Sequence, residues 1–406
     1  MSFSSTSKIL TKRISSADKK GNGIYFTPPN IIAKHIEILK PYLHDVKNIL
    51  EPSCGSCEYI RALQNDNHTI TGVEFNDTVF EEISTTEYVN TTLVHANFLE
   101  WEPHKNFDLI IGNPPYYVMK KDEMPHVYSP YYTGRPNIFT AFIVKCLGLL
   151  NENGVLGFVL PTSFLNCIYY DKLRKYISTE YEIIDITGCE DGKYIDTEQE
   201  TFLFTVRKSK PYRNDEFVNR RDGYTIYNTK HNIRIMKSLY ENSTNLNDMG
   251  MNVNVGTVVW NQKKDKLTDD TNATRLIYSS DIKDGKVSIV KYKNLTKKNY
   301  INEQGHTNPL LVINRGYGKG KYKFNYCIID TDHPYLIENH LICISPIIEI
   351  GRDELLETYD RIIKSFECEN TTRFIDLYFG NNAINTTELK YILPIYYCKI
   401  DITSLN

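Results

Sequence analysis

Phe107-Asp108-Leu109-Ile110-Ile111-Gly112-Asn113-Pro114-Pro115-Tyr116 is the stretch on which the reading of this chain turns. Its first six residues form an apolar run of strand length, which predicts a buried strand. The next four are an amide, two prolines and an aromatic ring. Prolines lock their φ angles, so the path out of the strand is rigid. In open α/β sheets the carboxyl ends of the strands are where ligands bind. A rigid corner at that edge can hold a side-chain amide oxygen and a backbone carbonyl toward one point, with a ring beside them. Such a corner suits a flat heterocycle carrying an exocyclic amine: the oxygens accept its two hydrogens and the ring stacks on its face.

Toward the N-terminus, residues 46–50 read as a strand, Glu51-Pro52-Ser53-Cys54-Gly55-Ser56-Cys57 as a turn of small residues, and 58–65 as a helix. Strand, small-residue turn, helix is the layout that lets backbone approach a nucleotide-like ligand. A second strand, 69–73, ends in Glu74-Phe75. An acidic residue there suits a ribose hydroxyl pair, and Phe75 can pack on a purine. A third strand, 92–96, runs into Asn97-Phe98. Further upstream, Tyr25-Phe26-Thr27-Pro28-Pro29 opens a helix with Thr27 as N-cap. Past the central stretch come a long loop, 117–135, read as a lid or substrate clamp, a helix over 137–150, a strand over 155–160, a helix over 163–178, and strands over 182–187 and 201–206.

Asn113-Pro114-Pro115-Tyr116, with these segments in this order over residues 23–208, resembles the class I methyltransferases that act on planar nitrogens, and among them the gamma-class (TaqI-like) amino-methyltransferases of restriction–modification systems. The resemblance implies an α/β fold, a Rossmann-like doubly wound sheet, and a C-terminal mixed α+β target-recognition domain. It implies S-adenosylmethionine as cofactor, with Thr27 flanking its methionine end and the turn Glu51, Pro52, Ser53, Cys54 and Gly55 beneath it. Glu74 takes the ribose, Phe75 and Phe98 cover the adenine, Asn97 accepts from the adenine amine, and Pro115 and Phe139 complete the cofactor set. Asn113 and Pro114 supply the acceptors for the target amine, and Tyr116 and Tyr194 hold the target base. Two positions depart from the family pattern: Cys57 stands where a second glycine is usual, and Asn97 where aspartate is usual. An αL conformation at Cys57 would cost more than at glycine, and Asn97 accepts without charge assistance.

The 406 residues are too many for one ordinary core, so two domains are expected. The polar residues 1–22 read as a flexible tail, 23–210 as the methyltransferase domain, the charged 211–223 as a linker, and 224–406 as the recognition domain. Hydrophobic residues make up 41%, and no apolar run approaches the roughly 18 residues of a membrane span. Nine cysteines, an odd number without a dense framework, suggest free thiols in a reducing compartment. Cys54-x-x-Cys57 has no second pair to complete a zinc site, so no metal is expected. The expected place is intracellular: cytoplasmic or, for a eukaryotic viral source, nuclear or in a viral factory.

Net charge is −3, unevenly spread: residues 283–323 hold ten basic residues and two acidic ones. Basic charge with aromatics between suits a nucleic-acid surface. Arg315, Tyr317, Lys319, Lys321 and Lys323, among glycines that allow close approach to phosphate, are candidate DNA contacts, with Trp260 as a stacking or core residue. The expected partner is double-stranded DNA, with a separate cognate restriction endonuclease, and a monomer is expected. Two other readings stay open: methylation of RNA adenine or of a protein glutamine, and a catalytically inactive DNA-binding specificity subunit.

Overall fold

Strand β1 (Asn48–Glu51) is the pivot of the sheet in the first half of the chain. On one side it pairs in parallel with β2 (Thr69–Glu74), which pairs in parallel with β3 (Thr91–His95). On the other it pairs in parallel with β4 (Phe107–Gly112), the strand expected from the apolar run. β5 (Leu150–Pro161), β6 (Glu182–Gly188) and β7 (Thr201–Arg207) complete seven strands in the order β3-β2-β1-β4-β5-β7-β6. β7 alone runs antiparallel to its neighbours. This doubly wound sheet is the class I methyltransferase fold. The chain winds outward from β1 in one direction and returns to its other side at β4, so the crevice opens between the carboxyl ends of β1 and β4. Ile49 pairs with Leu109 and Leu50 with Ile110, which delivers the turn after Glu51 and the corner after Gly112 side by side.

The computed structural model describes residues 2–190, 192, 194, 195, 197, 199–211, 214–316, 322–379 and 383–397. The chain divides into two units, Met1–Arg234 and Ile235–Asn406. One sheet face is covered by α5 (Ile138–Leu149), whose Phe139, Phe142 and Ile143 join Leu156, Phe158 and Phe204 in a core. α3 (Pro29–Leu39) and α4 (Glu58–Leu63) cover the other face through Ile31, Ile32 and Ile60. The helix expected over 163–178 is shorter, Asp171–Glu180, and 3-10 turns precede it.

Two boundaries differ from the sequence reading. Residues 1–22 are not a loose tail among the described residues: α1 (Ser5–Arg13) and α2 (Ser16–Asn22) are capped by Ser4 and Ser15, and Leu10 is fully buried in the same cluster as Ile31 and Ile60. A single leucine and a set of hydroxyls dock α1, with Ser7 Oγ 2.8 Å from Ser56 Oγ and Arg61 donating to Thr6 Oγ1 at 2.8 Å. That signal is invisible to hydrophobic periodicity. The expected linker is also part of the first unit. The Asn214 side chain accepts from Ile183 N at 2.8 Å and donates to Tyr181 O at 2.8 Å, and Phe217 and Val218 are buried.

The second unit is mixed α+β. Strands Met251–Val255, Leu341–Pro346, Leu310–Asn314 and Tyr326–Ile329 form one antiparallel sheet. A second small sheet carries Thr274–Ile277. Two helices, Arg352–Glu367 and Glu369–Tyr378, follow.

Candidate active site

The corner after β4 is fixed by bonds from three other segments. Asn113 Nδ2 donates to the main-chain oxygen of Tyr25 at 3.1 Å, which sets the amide's orientation. Ser53 Oγ donates to the Asn113 main-chain oxygen at 3.2 Å, tying the turn after β1 to the corner. Gly23, at φ 65°, lets its segment lie against the corner: a Cβ there would stand 2.8 Å from Tyr116 N. Tyr116 turns inward. Its phenol donates to Asn113 Oδ1, and Val159 O lies 2.6 Å away as a second acceptor. Burial pushes the phenol's pKa well up, and the neighbouring Tyr194 adds to it. The ring meets Phe139 edge-on at 6.1 Å. Tyr194 Oη lies 3.1 Å from Thr201 Oγ1, and Tyr194 shares a small pocket with Thr11, Tyr25, Phe26 and Ile195.

The turn Pro52–Cys57 is stitched to the end of β2. Cys54 N donates to Val73 O and Gly55 N to Glu74 Oε2, each at 2.9 Å. Glu74 Oε1 accepts from Asn76 N at 2.8 Å. Burial raises the Glu74 pKa, and its backbone hydrogen bonds only partly oppose this. Cys57 takes the αL conformation, φ 61°, that its place in the family's glycine pattern implied, and it is fully buried. Glu51 is buried at the carboxyl end of β1, with Oε2 lacking any hydrogen-bond partner and its pKa held up by desolvation.

The residues present fit S-adenosylmethionine, the cofactor that the resemblance implies. An unsatisfied buried carboxylate oxygen at Glu51 suits a cationic ligand end. The Glu74 carboxylate suits a ribose, and Phe75, 64% exposed beside it, offers an open ring face to a purine.

Other expected residues sit differently. Thr27 is buried, but Pro28 holds the N-cap position of α3, so the threonine does not cap. Phe98 and Phe139 do not line an open surface. Phe98 packs on Phe142 at 4.9 Å, and Phe139 lies between Tyr116, Phe164 and Tyr170 in the core. Asn97 spends its side-chain oxygen on Leu99 N at 3.1 Å and its amide NH2 on Glu100 at 2.9 Å, closing its own loop. Pro52 and Pro114 are buried, while Pro115 lies against Gly23. The loop 117–135 is ordered at its base by Met119 N donating to Pro136 O at 2.9 Å, with Met124 and Tyr128 buried.

Sequence reasoning missed Lys145. Its ammonium donates to Trp101 O at 2.6 Å and Leu99 O at 3.1 Å, and its side chain is only 9% exposed. The available signal was its isolation as the one charged residue in Ile138–Leu149.

In the second unit, Trp260 opens a short 3-10 turn, half-buried, with Lys264 Nζ 5.9 Å and Lys297 Nζ 6.0 Å from its ring. Arg315 O accepts from Ile384 N, and Lys323 is exposed. Tyr317, Lys319 and Lys321 lie outside the described residues. No group of three or more candidate metal ligands occurs among the described residues. No described helix is long and apolar enough to cross a membrane.

Residues 22–194 match the Eco57I restriction-modification methylase family. The chain is 28% identical over 405 residues to Type II methyltransferase M.CvrRI of Paramecium bursaria Chlorella virus XZ-6E, covering 97% of this chain and 99% of that protein. It is 26% identical over 399 residues to modification methylase CviBIII of Paramecium bursaria Chlorella virus NC1A, covering 96% of each. It is 32% identical over 147 residues to Type II methyltransferase M.TthHB8I of Thermus thermophilus, covering 32% of this chain and 33% of that protein.

Proposed function

We propose, from its kinship with the restriction–modification amino-methyltransferases, that this chain is a site-specific DNA adenine-N6 methyltransferase that protects DNA from a separate cognate endonuclease. The observation that carries the reading is the Asn113 amide. It stands at the carboxyl end of β4, its Nδ2 committed to Tyr25 O, which leaves Oδ1 as the group available to a donor once Tyr116 moves.

An aromatic amine is a poor nucleophile because its lone pair is delocalised into the ring. Asn113 Oδ1 and the Pro114 carbonyl accept its two hydrogens and stabilise the positive charge that develops on nitrogen as it attacks. S-adenosylmethionine, when bound, supplies an electrophilic methyl group on its sulfonium. Glu51, Ser53, Cys54, Gly55, Glu74 and Phe75 are the residues that would hold it, with Thr27, Pro52, Asn97, Phe98, Pro115 and Phe139 shaping or supporting the site. In duplex DNA the adenine must leave the stack, and Tyr116 and Tyr194 receive its faces. The second unit reads the target, with Trp260, Arg315, Tyr317, Lys319, Lys321 and Lys323 as its DNA contacts.

The test is sequencing of genomic DNA treated with the protein and S-adenosylmethionine, with detection of modified bases. N6-methyladenine in one short recurring context is the expected result. Methylation confined to RNA or to protein, or none at all, would sink the reading.

A further inference from the structure

The Asn113 oxygen that the proposed function assigns to the target amine is already in use. Tyr116 donates its phenol to it, and the same phenol lies 2.6 Å from Val159 O. A phenol carries one proton and can satisfy only one of these two acceptors at a time. The surrounding burial keeps that proton in place. The corner therefore holds two acceptors for one donor and is short of a proton, whereas an exocyclic amine brings two.

The amide cannot turn away to resolve this, because Nδ2 is held by Tyr25 O and the Asn113 main chain by Ser53. Nor can the backbone at Tyr116 easily shift, since Gly23 is packed against its N–H so closely that a Cβ would stand 2.8 Å away. The free coordinate is rotation of the Tyr116 side chain, whose phenol end is buried although the residue as a whole keeps some exposure.

Resting on the reading that Asn113 binds the target amine, we infer that the Tyr116 phenol is the corner's own stand-in for that amine: it holds Asn113 Oδ1 while no base is bound and gives it up when the base enters. The freed ring then offers its face to the base. Tyr116 so acts as a positioning residue in the empty protein and as a stacking surface in the occupied one, and an entering base without two amine hydrogens cannot restore the bonds it displaces.

Tyr116→Phe keeps the ring and removes the occupant. The expected result is a KM for duplex DNA lower by about fivefold, the worth of one net hydrogen bond no longer displaced. Tighter capture of 2-aminopurine placed at the target position, read by its fluorescence, should accompany it. A KM unchanged or raised in this variant overturns the inference. A second measurement needs no loss of the hydroxyl. Fluorotyrosine at 116 in the otherwise native chain should give a fluorine resonance that moves on adding cognate duplex, and a resonance that stays fixed overturns the inference as well. The parent chain separates the two levels. If it methylates DNA and the Phe variant gains nothing, the stand-in role alone fails; if it methylates no DNA, the functional reading beneath it fails.

Discussion

The main-chain N–H of Gly55 donates to Oε2 of Glu74 at 2.9 Å, joining the turn after β1 to the end of β2. One carboxylate thereby sets the shape of that turn, while its other oxygen accepts from Asn76 N at 2.8 Å. Burial opposes its charge and raises its pKa above the ordinary 4.5. The folded protein thus binds this proton more tightly than the unfolded chain does. Stability from this group is greatest below the ordinary value and declines as pH rises through the raised one.

Cofactor binding should carry the opposite slope. A carboxylate accepts two hydroxyls and a protonated carboxyl cannot do so fully. Affinity for S-adenosylmethionine is expected to weaken as pH falls, beginning above the range of an ordinary glutamate. Glu74→Gln should bind more weakly at the higher pH and vary less across the range. Calorimetry at several pH values reads both, and a parent affinity flat in pH would refute the assignment.

Asn113→Ala removes the side-chain acceptor without disturbing the sheet, because Asn113 follows the last residue of β4. The expected loss in kcat is at least about a hundredfold, the scale seen when one oriented partner of a developing charge is deleted. Duplex binding should stay close to parental, since the proposed DNA contacts lie elsewhere. A variant that methylates as fast as the parent would show that the amide does no chemistry.

Lys145 is a buried ammonium that satisfies the Leu99 and Trp101 carbonyls and pairs with Glu102 at 3.1 Å. Its charge also lies 5.3 Å from the Phe98 ring centre. Lys145→Met should strand two carbonyls and free the loop that begins at Asn97. A loss of roughly 2–4 kcal/mol in urea unfolding is expected, with weaker S-adenosylmethionine binding. Lys145→Arg should recover part of the binding. Full stability in the Met variant would show that water replaces the ammonium without cost.

The sheet was legible because its signals are local. Apolar runs such as 107–112 and small-residue turns such as 52–57 report burial and close approach directly, and both fell where the fold needed them. The Cys57 conformation was legible in part, since the family's usual glycine at that place is a residue suited to αL. What escaped depends on which neighbour reaches a group first. Phe98 and Phe139 are aromatic residues at the right sequence positions, but the core claims their rings. Asn97 has the right acceptor, but Leu99 N takes it two residues on. Tyr116 was expected beside the acceptors and instead sits on one of them. Each of these is a competition between partners, and a linear sequence does not rank partners.

The same limit explains α1. Its sequence carries one leucine facing inward among serines, threonines and lysines, and nothing in its composition distinguishes it from a loose tail. Yet Leu10 is fully buried, and the helix meets the protein at Ser56 and Glu58, the two residues flanking Cys57. Leu10→Ala should cost about 2–4 kcal/mol in urea unfolding, the cost of a buried leucine replaced by a cavity. It should also weaken S-adenosylmethionine binding, because the turn it braces would loosen. Ile9→Ala, one position away on the exposed face at 43% exposure, should cost far less. Equal and negligible effects at both positions would mean that the N-terminal residues do behave as a tail in solution, and that the turn after β1 is held without them.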